Sequence, residues 1–554
     1  MSSIIARTLL ALRCVYSYVK QTSTQLQHSV SLSPNPLPSS PHKLSPQLSL
    51  HIIISTRSNT ITSTSSLTPW LLVDALSHVY RTAETHTPLL TPSTQVSLDR
   101  FVCSIRANSI FHPYKFYPDG FGDTRRALAV TQTCRNIMNG VRSADAHIQT
   151  SSKPQSITIK LSSSTHGTAF AHVAEGSFAA PSASILPTAS AETRFQLITP
   201  LSMSSSSSSQ QQSAARPSSV PNAVAVILPG TGEQGFSRRR NLVAYQLARR
   251  GISSVILEGP FYGTRRPSGM RGSKLRELSD LPVLGYGTID EARSIVGWLH
   301  SRDMATASSM IDALPQKGGA HKIVIEKDDT KNGTCPPAYD AIVLTGTSMG
   351  GLHAAMASSM MPLDWSKQVG VAAWLCPPSG VSVFLAGALA SCVDWHSFVR
   401  DTEIGTLSSV AINQSLDSID DIIFNSIKTT AHSSLPNDAI IDQLALNIPK
   451  KIQRDSLKRA MIAAARLLRC TDISNFPSPI RSDATIFVSA EHDAYVPLDE
   501  DALVLWKWVE ANWPDVSIRK IPAGHVSGAL FKLDSYIDTI SEVVHRIRSG
   551  SSRK

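Results

Sequence analysis

The sequence predicts an α/β protein with a mostly parallel sheet and helices on both faces. Three observations carry this. From Asn222 onward, apolar runs of strand length recur, the first being "AVAVILP". Helix-length amphipathic stretches separate them, and that alternation is the pattern of a parallel sheet. The pentapeptide "GTSMG", residues 346–350, sits where one such strand should meet its helix.

In order, "AVAVILP" is a buried strand and "RRRNLVAYQLARRG" a helix, with Gly251 where a C-terminal cap belongs. "SSVILEG" is the next strand. "IDEARSIVGWLHSR" is a helix with Ile289, Ala292, Ile295, Val296 and Leu299 on one face. "YDAIVLTG" is a strand, "MGGLHAAMASSM" a helix and "VGVAAWLCP" a strand. A mostly helical interval follows, from which residues 380–470 would form a cap. Its run "VSVFLAGAL" would pack as core, line an acyl pocket or touch a bilayer. Strand "DATIFVSA", helix "DEDALVLWKWVEAN", strand "VSIRKIP" and helix "YIDTISEVVHRI" complete the domain over 222–549.

The remaining segments read differently. Residues 1–70 are rich in Ser, Thr and Pro and are expected to be disordered. Residues 71–200 form an N-terminal extension, with a helix at "LTPWLLVDALSHVYRTA" and a strand at "ETRFQLITP". Residues 201–221 are a Ser/Gln-rich low-complexity linker, and 303–339 an insertion. Arg7, Arg13 and Lys20 stand in a leader with no acidic residue before Asp74. That composition fits an organellar transit peptide and a mitochondrial destination; the alternative is a plain tail and a cytoplasmic protein. Seven scattered cysteines with no C-x-x-C argue against a disulfide framework. The formal net charge of +10 favours anionic partners, including peripheral contact with an anionic membrane. Zinc-finger spacing and an RNA-binding aromatic signature are both missing, so no nucleic-acid partner is expected.

The chemistry centres on Ser348. In a G-x-S-x-G turn between strand and helix, side chains at Gly346 and Gly350 would collide with the neighbouring strand or helix, and the serine hydroxyl is lifted above the sheet edge. A serine hydroxyl needs a base. The strand "TIFVSA" runs on to Asp493 and the strand "IRKIP" to His525, so acid and base follow in the order Ser, acid, His. His525 would take the serine proton and Asp493 would hold the imidazole tautomer. Glu491 is the fallback acid, and His492 is incidental. Two N–H donors are needed for an oxyanion: Met349, after the nucleophile, and Thr231 in "LPGTGEQG", with Gly232 as the alternative. Arg238, Arg239 and Arg240 open the next helix, and Arg265 and Arg266 sit on a neighbouring loop. The arginines either bind an anionic group of the substrate or fix the loop by pairing with Glu233 or Glu258.

The stretches "ETRFQLITP", "GTGEQGFSRRRNLVA", "LEGPFYGTRRP", "TSMGGLHA", "CVDW", "SAEHDAYVP" and "PAGHVSGALF", with "FYPDGFGD" further upstream, resemble the alpha/beta hydrolase domain-containing protein 18 family. The resemblance implies an α/β-hydrolase fold with Ser348, Asp493 and His525 as its triad, and an intracellular, mitochondrion-associated lipid hydrolase. The long leader, the linker and the 303–339 insertion depart from the family pattern. The expected activity is hydrolysis of a lipid or small-molecule ester through an acyl-enzyme, with no metal or organic cofactor. An acyltransferase on the same triad and a non-catalytic binding protein are the rivals.

Overall fold

The computed structural model describes residues 91–108, 115–143, 154, 157–164, 166–201, 223–270, 272–300, 323–324, 339–403, 407–424, 454–497 and 500–551. The leader over 1–70, the helix expected within 67–83, residues 202–221 of the linker, the insertion apart from 323–324 and 339, and 425–453 of the cap lie outside the described residues.

One sheet of ten strands organises the rest, in the order β10-β9-β8-β7-β4-β5-β3-β2-β1-β6. Strands β4 (Ala223–Leu228), β5 (Ser253–Leu257), β7 (Ala341–Thr347), β8 (Val369–Trp374), β9 (Thr485–Ala490) and β10 (Ser517–Ile521) are parallel. The first five match the apolar runs because both of their faces are covered, whereas β10, at the sheet edge, is only partly buried. Val224, Val226 and Leu228 enter one core while Ala223, Ala225 and Ile227 enter the other. On the second face lie α3 (237–249) and α11 (Leu533–Ser551), supplying Val243, Leu247, Ile537, Ile540 and Val544. On the first lie α2 (Thr124–Val141), α4 (Asp280–His300), α5 (Met349–Ser359) and α9 (Glu500–Asn512). All five residues expected on the buried face of α4 are buried, but the helix begins at Asp280, nine residues before the predicted stretch. Pro282 falls within its first turn, where a missing N–H costs nothing. Gly251 closes α3 at φ +76°, as a C-terminal cap requires.

The N-terminal extension is part of this sheet. β3 (Glu192–Pro200), the strand read from the sequence, pairs antiparallel with β5 through Phe195↔Leu257. β2 (Ala171–Ala179), β1 (Lys160–Ser163) and the two-residue β6 (Ile323–Val324) continue it antiparallel. Strands from the extension and from 222–549 therefore share one sheet. Strand β2 carries Glu175 and Gly176, which weaken strand propensity. Gly176 pairs with Phe195, and a Cβ there would overlap the Phe195 ring, so the aromatic ring covers the glycine.

Between β8 and β9 the described chain is helical: α6 (Trp395–Asp401), α7 (Leu407–Phe424) and α8 (Arg454–Leu468). Arg466 clips α8 to α7 through Asp417 and Asp420, at 2.7 Å each. The run "VSVFLAGAL" packs as core: Val381, Val383, Phe384 and Leu385 are buried, and Phe384 meets Phe116 and Tyr117 edge-on. Among the described residues no helix is long and apolar enough to cross a membrane.

Candidate active site

Strand β7 ends at Thr347, and Ser348 forms the turn into α5 with φ +58° and ψ −130°. Left-handed φ at a non-glycine residue is strained, and strain of this kind needs strong surroundings to hold it. Here the Ser348 N–H donates to Trp374 O at 2.8 Å, and its carbonyl accepts from Gly351 N at 2.8 Å. The glycines act as the sequence implied. A Cβ at Gly350 would lie 2.8 Å from both Leu228 O and Pro229 O, and one at Gly346 would lie 2.5 Å from the Gly350 carbonyl carbon. The turn thus packs backbone against backbone, and the serine remains half-buried.

Asp493 follows β9 by three residues, and His525 opens a seven-residue helix, α10 (His525–Phe531), that the sequence reading did not include. Because β7, β9 and β10 run parallel, all three residues leave the sheet at the same edge. Asp493 Oδ2 is 2.6 Å from His525 Nδ1. The acid is 3% exposed and the imidazole 12%, so the pair is shielded yet reachable. The Tyr495 ring stacks on His525 with centroids 4.9 Å apart. An N–H on Nδ1 donating to Asp493 leaves Nε2 as the acceptor nitrogen, which is the tautomer a general base needs. Glu491, the fallback acid, is exposed. The other histidine near the serine, His353 on α5, is buried, and burial pushes it down to about 4, which leaves it a weak base at neutral pH.

Met349 is the first residue of α5, where amide N–H groups have no helical partner. Thr231 is half-buried in the loop after β4. That loop is shaped by Glu233, whose Oε2 accepts Gly230 N at 2.9 Å while Gly232 and Gly235 take positive φ.

Arg239 and Arg240 turn their guanidinium groups into the protein, and Arg238 stays partly exposed. Arg239 is 6% exposed and donates inward to Ile227 O, Leu257 O and Gly235 O, with Glu233 3.2 Å from its Nε. Arg240 is 8% exposed and donates to Gln196 Oε1 at 3.0 Å. Arg238 lies 3.9 Å from Glu233. Arg265 is buried in a bidentate pair with Glu291. Of the two roles the sequence left open, loop fixation is the one these contacts serve. A guanidinium turned into a protein needs acceptors, and for Arg239 two of these are the carbonyls at the ends of β4 and β5.

One residue escaped the sequence reading. Asp99, on α1 (Pro92–Asn108), has its carboxylate against the loops of both Asp493 and His525. It shares the buried side of α1 with Gln95 and Cys103, and a lone acid on such a stripe was the available signal.

A cavity of about 420 Å³ has Val130, Tyr286, Ile289, Met356 and Phe476 among its walls, and includes none of Ser348, Asp493 and His525. No group of three or more His, Cys, Asp and Glu among the described residues is placed to hold a metal ion.

A mostly parallel sheet with helices on both faces, a strained serine turn at its edge and a helical stretch between β8 and β9 define an α/β hydrolase. The model of the family described as "Alpha/beta hydrolase domain containing 18" matches residues 114–305 and 335–546, and the chain belongs to that family. Solved structures similar to it include a mutant of the rice cell wall degrading esterase LipA from Xanthomonas oryzae, at 13% identity over 68% of this chain and 89% of that one, TM-score 0.32. Another is brefeldin A esterase, described as a bacterial homologue of human hormone sensitive lipase, at 11% identity over 84% and 99%, TM-score 0.35.

Proposed function

We propose that the protein is a serine hydrolase that cleaves a carboxylic ester of a lipid or small molecule through an acyl-enzyme. The observation that supports it best is the Asp493–His525 pair at the sheet edge that also carries the strained Ser348 turn. In this reading, Ser348 Oγ attacks the ester carbonyl carbon as His525 Nε2 takes its proton, and the carbonyl π electrons move to oxygen. Met349 N–H and Thr231 N–H stabilise that oxyanion. On collapse the C–O bond to the alcohol breaks, and His525 returns the proton to the departing oxygen. Water then repeats the attack on the acyl-enzyme, releasing the acid and restoring Ser348.

Turnover of a chain-length series of 4-nitrophenyl esters tests this. The proposal expects release of free acid at a rate that falls to the buffer background in Ser348→Ala. No turnover of any acyl length by the wild-type chain, or equal turnover by the variant, would overturn it.

A further inference from the structure

Asp99 is wholly buried, yet it lies several hundred residues upstream of everything its carboxylate holds. Its Oδ2 accepts from Ala494 N at 3.0 Å and from His525 N at 2.8 Å, and its Oδ1 accepts from Val526 N at 2.8 Å. Ala494 follows Asp493 directly, and His525 and Val526 begin α10. One carboxylate therefore ties the main chain of the acid loop to that of the histidine loop.

The surroundings reinforce the tie. Gln95, one turn earlier on α1, accepts from Ser527 Oγ at 3.3 Å, and its Nε2 reaches Pro522 O at 3.5 Å. Ser527 Oγ in turn accepts from Gly524 N at 2.8 Å. Gly524 gives the approach its room: a Cβ there would stand 3.0 Å from Asp99 Oδ2. A carboxylate removed from water is tolerated only when fully hydrogen-bonded, and here its three donors come from the two loops that must stay in register. The helix supplying it ends at Asn108, upstream of the family-matched segment that begins at residue 114.

We infer that Asp99 is a positioning residue for the reaction. By fixing the Asp493 and His525 loops together it makes α1 a third component of the site. This rests on the Ser348–His525–Asp493 reading above.

The test uses the full chain with Asp99→Asn, which keeps shape and one acceptor oxygen, and Gln95→Ala, which loosens the histidine loop alone. Arg100→Ala, exposed on the same helix, is the control. Misplacing a catalytic group by about 1 Å costs on the order of a hundredfold, so kcat in Asp99→Asn should fall about 10- to 100-fold with KM within about threefold. The rate of Ser348 modification by a fluorophosphonate should fall in parallel, while every site still labels at the endpoint. Gln95→Ala should show a smaller drop of the same kind, and Arg100→Ala none. A structural role alone would instead lower the fraction of sites that label and leave the rate per site unchanged. That result, or unchanged kcat in folded Asp99→Asn, overturns the inference. If Asp99→Asn does not fold, an unchanged labelling rate in Gln95→Ala does so. Failure of wild-type Ser348 to label at all is a distinct outcome: it removes the serine mechanism, and this inference with it.

Discussion

His525 Nδ1 stands 2.6 Å from Asp493 Oδ2, while the other oxygen of that carboxylate accepts Tyr495 N and Val496 N at 2.8 Å each. Asp493 thus closes its own turn with one oxygen and orients the imidazole with the other. One side chain therefore closes the turn and meets the imidazole.

That division predicts the behaviour of Asp493→Asn. An amide can keep Oδ1 on the turn while presenting an NH2 to Nδ1, which forces the opposite tautomer. Stability should change little, and kcat should fall by about a thousandfold or more at an unchanged KM. Steady-state kinetics and thermal melting measure both. A loss of less than about tenfold would remove Asp493 from the mechanism.

Arg239 should matter for stability and not for substrate charge. Truncating it to Ala leaves Glu233 without its close partner and strips Ile227 O and Leu257 O of a donor. Removing one member of a buried pair costs about 3–5 kcal/mol. Denaturant unfolding should show that loss, and turnover of neutral and anionic esters should decline together. Selective loss on the anionic ester at unchanged stability would restore an anion-binding role.

Asp280, at the start of α4, gives a pH signature. Burial pushes its carboxyl up to about 7, Glu277 adds repulsion, and Arg126 at 3.4 Å opposes. A raised folded-state value means the folded protein holds a proton that the unfolded chain releases near pH 4. The associated stability is full below that and is lost as pH rises to about 7. Asp280→Asn should therefore melt higher than wild type at pH 8, with the gap closing toward pH 5. A gap independent of pH would contradict this.

For the leader we propose mitochondrial import, on the strength of Arg7, Arg13 and Lys20 in an acid-free, Ser-rich stretch. Residues 1–70 fused to a fluorescent protein should colocalise with mitochondria. A signal as diffuse as that of the free reporter would count against it.

The legible parts share a physical cause. Strands β4, β5, β7, β8 and β9 are buried on both faces, so their sequences are continuous apolar runs. The strand-to-helix turn at Ser348 was legible because it requires Gly346 and Gly350. The placement of Asp493 and His525 past strand ends was legible because each follows an extended run. Strand β2 was hidden because Gly176 depends on Phe195, a cross-strand partner that local pattern cannot reveal. The role of Arg239 and Arg240 stayed open because a run of three arginines does not say which way its side chains turn. Here carbonyls at the ends of β4 and β5, and Gln196 of β3, draw two of them inward. Asp99 was missed because its partners are main-chain N–H groups some 395 to 427 positions away, which carry no side-chain signature.

The identity of the nucleophile is tested most directly by peptide mass spectrometry after reaction with a fluorophosphonate. The wild-type chain should carry one adduct, on the peptide containing Ser348, and folded Ser348→Ala should carry none. An adduct on a different residue, or undiminished labelling of Ser348→Ala, would contradict the account.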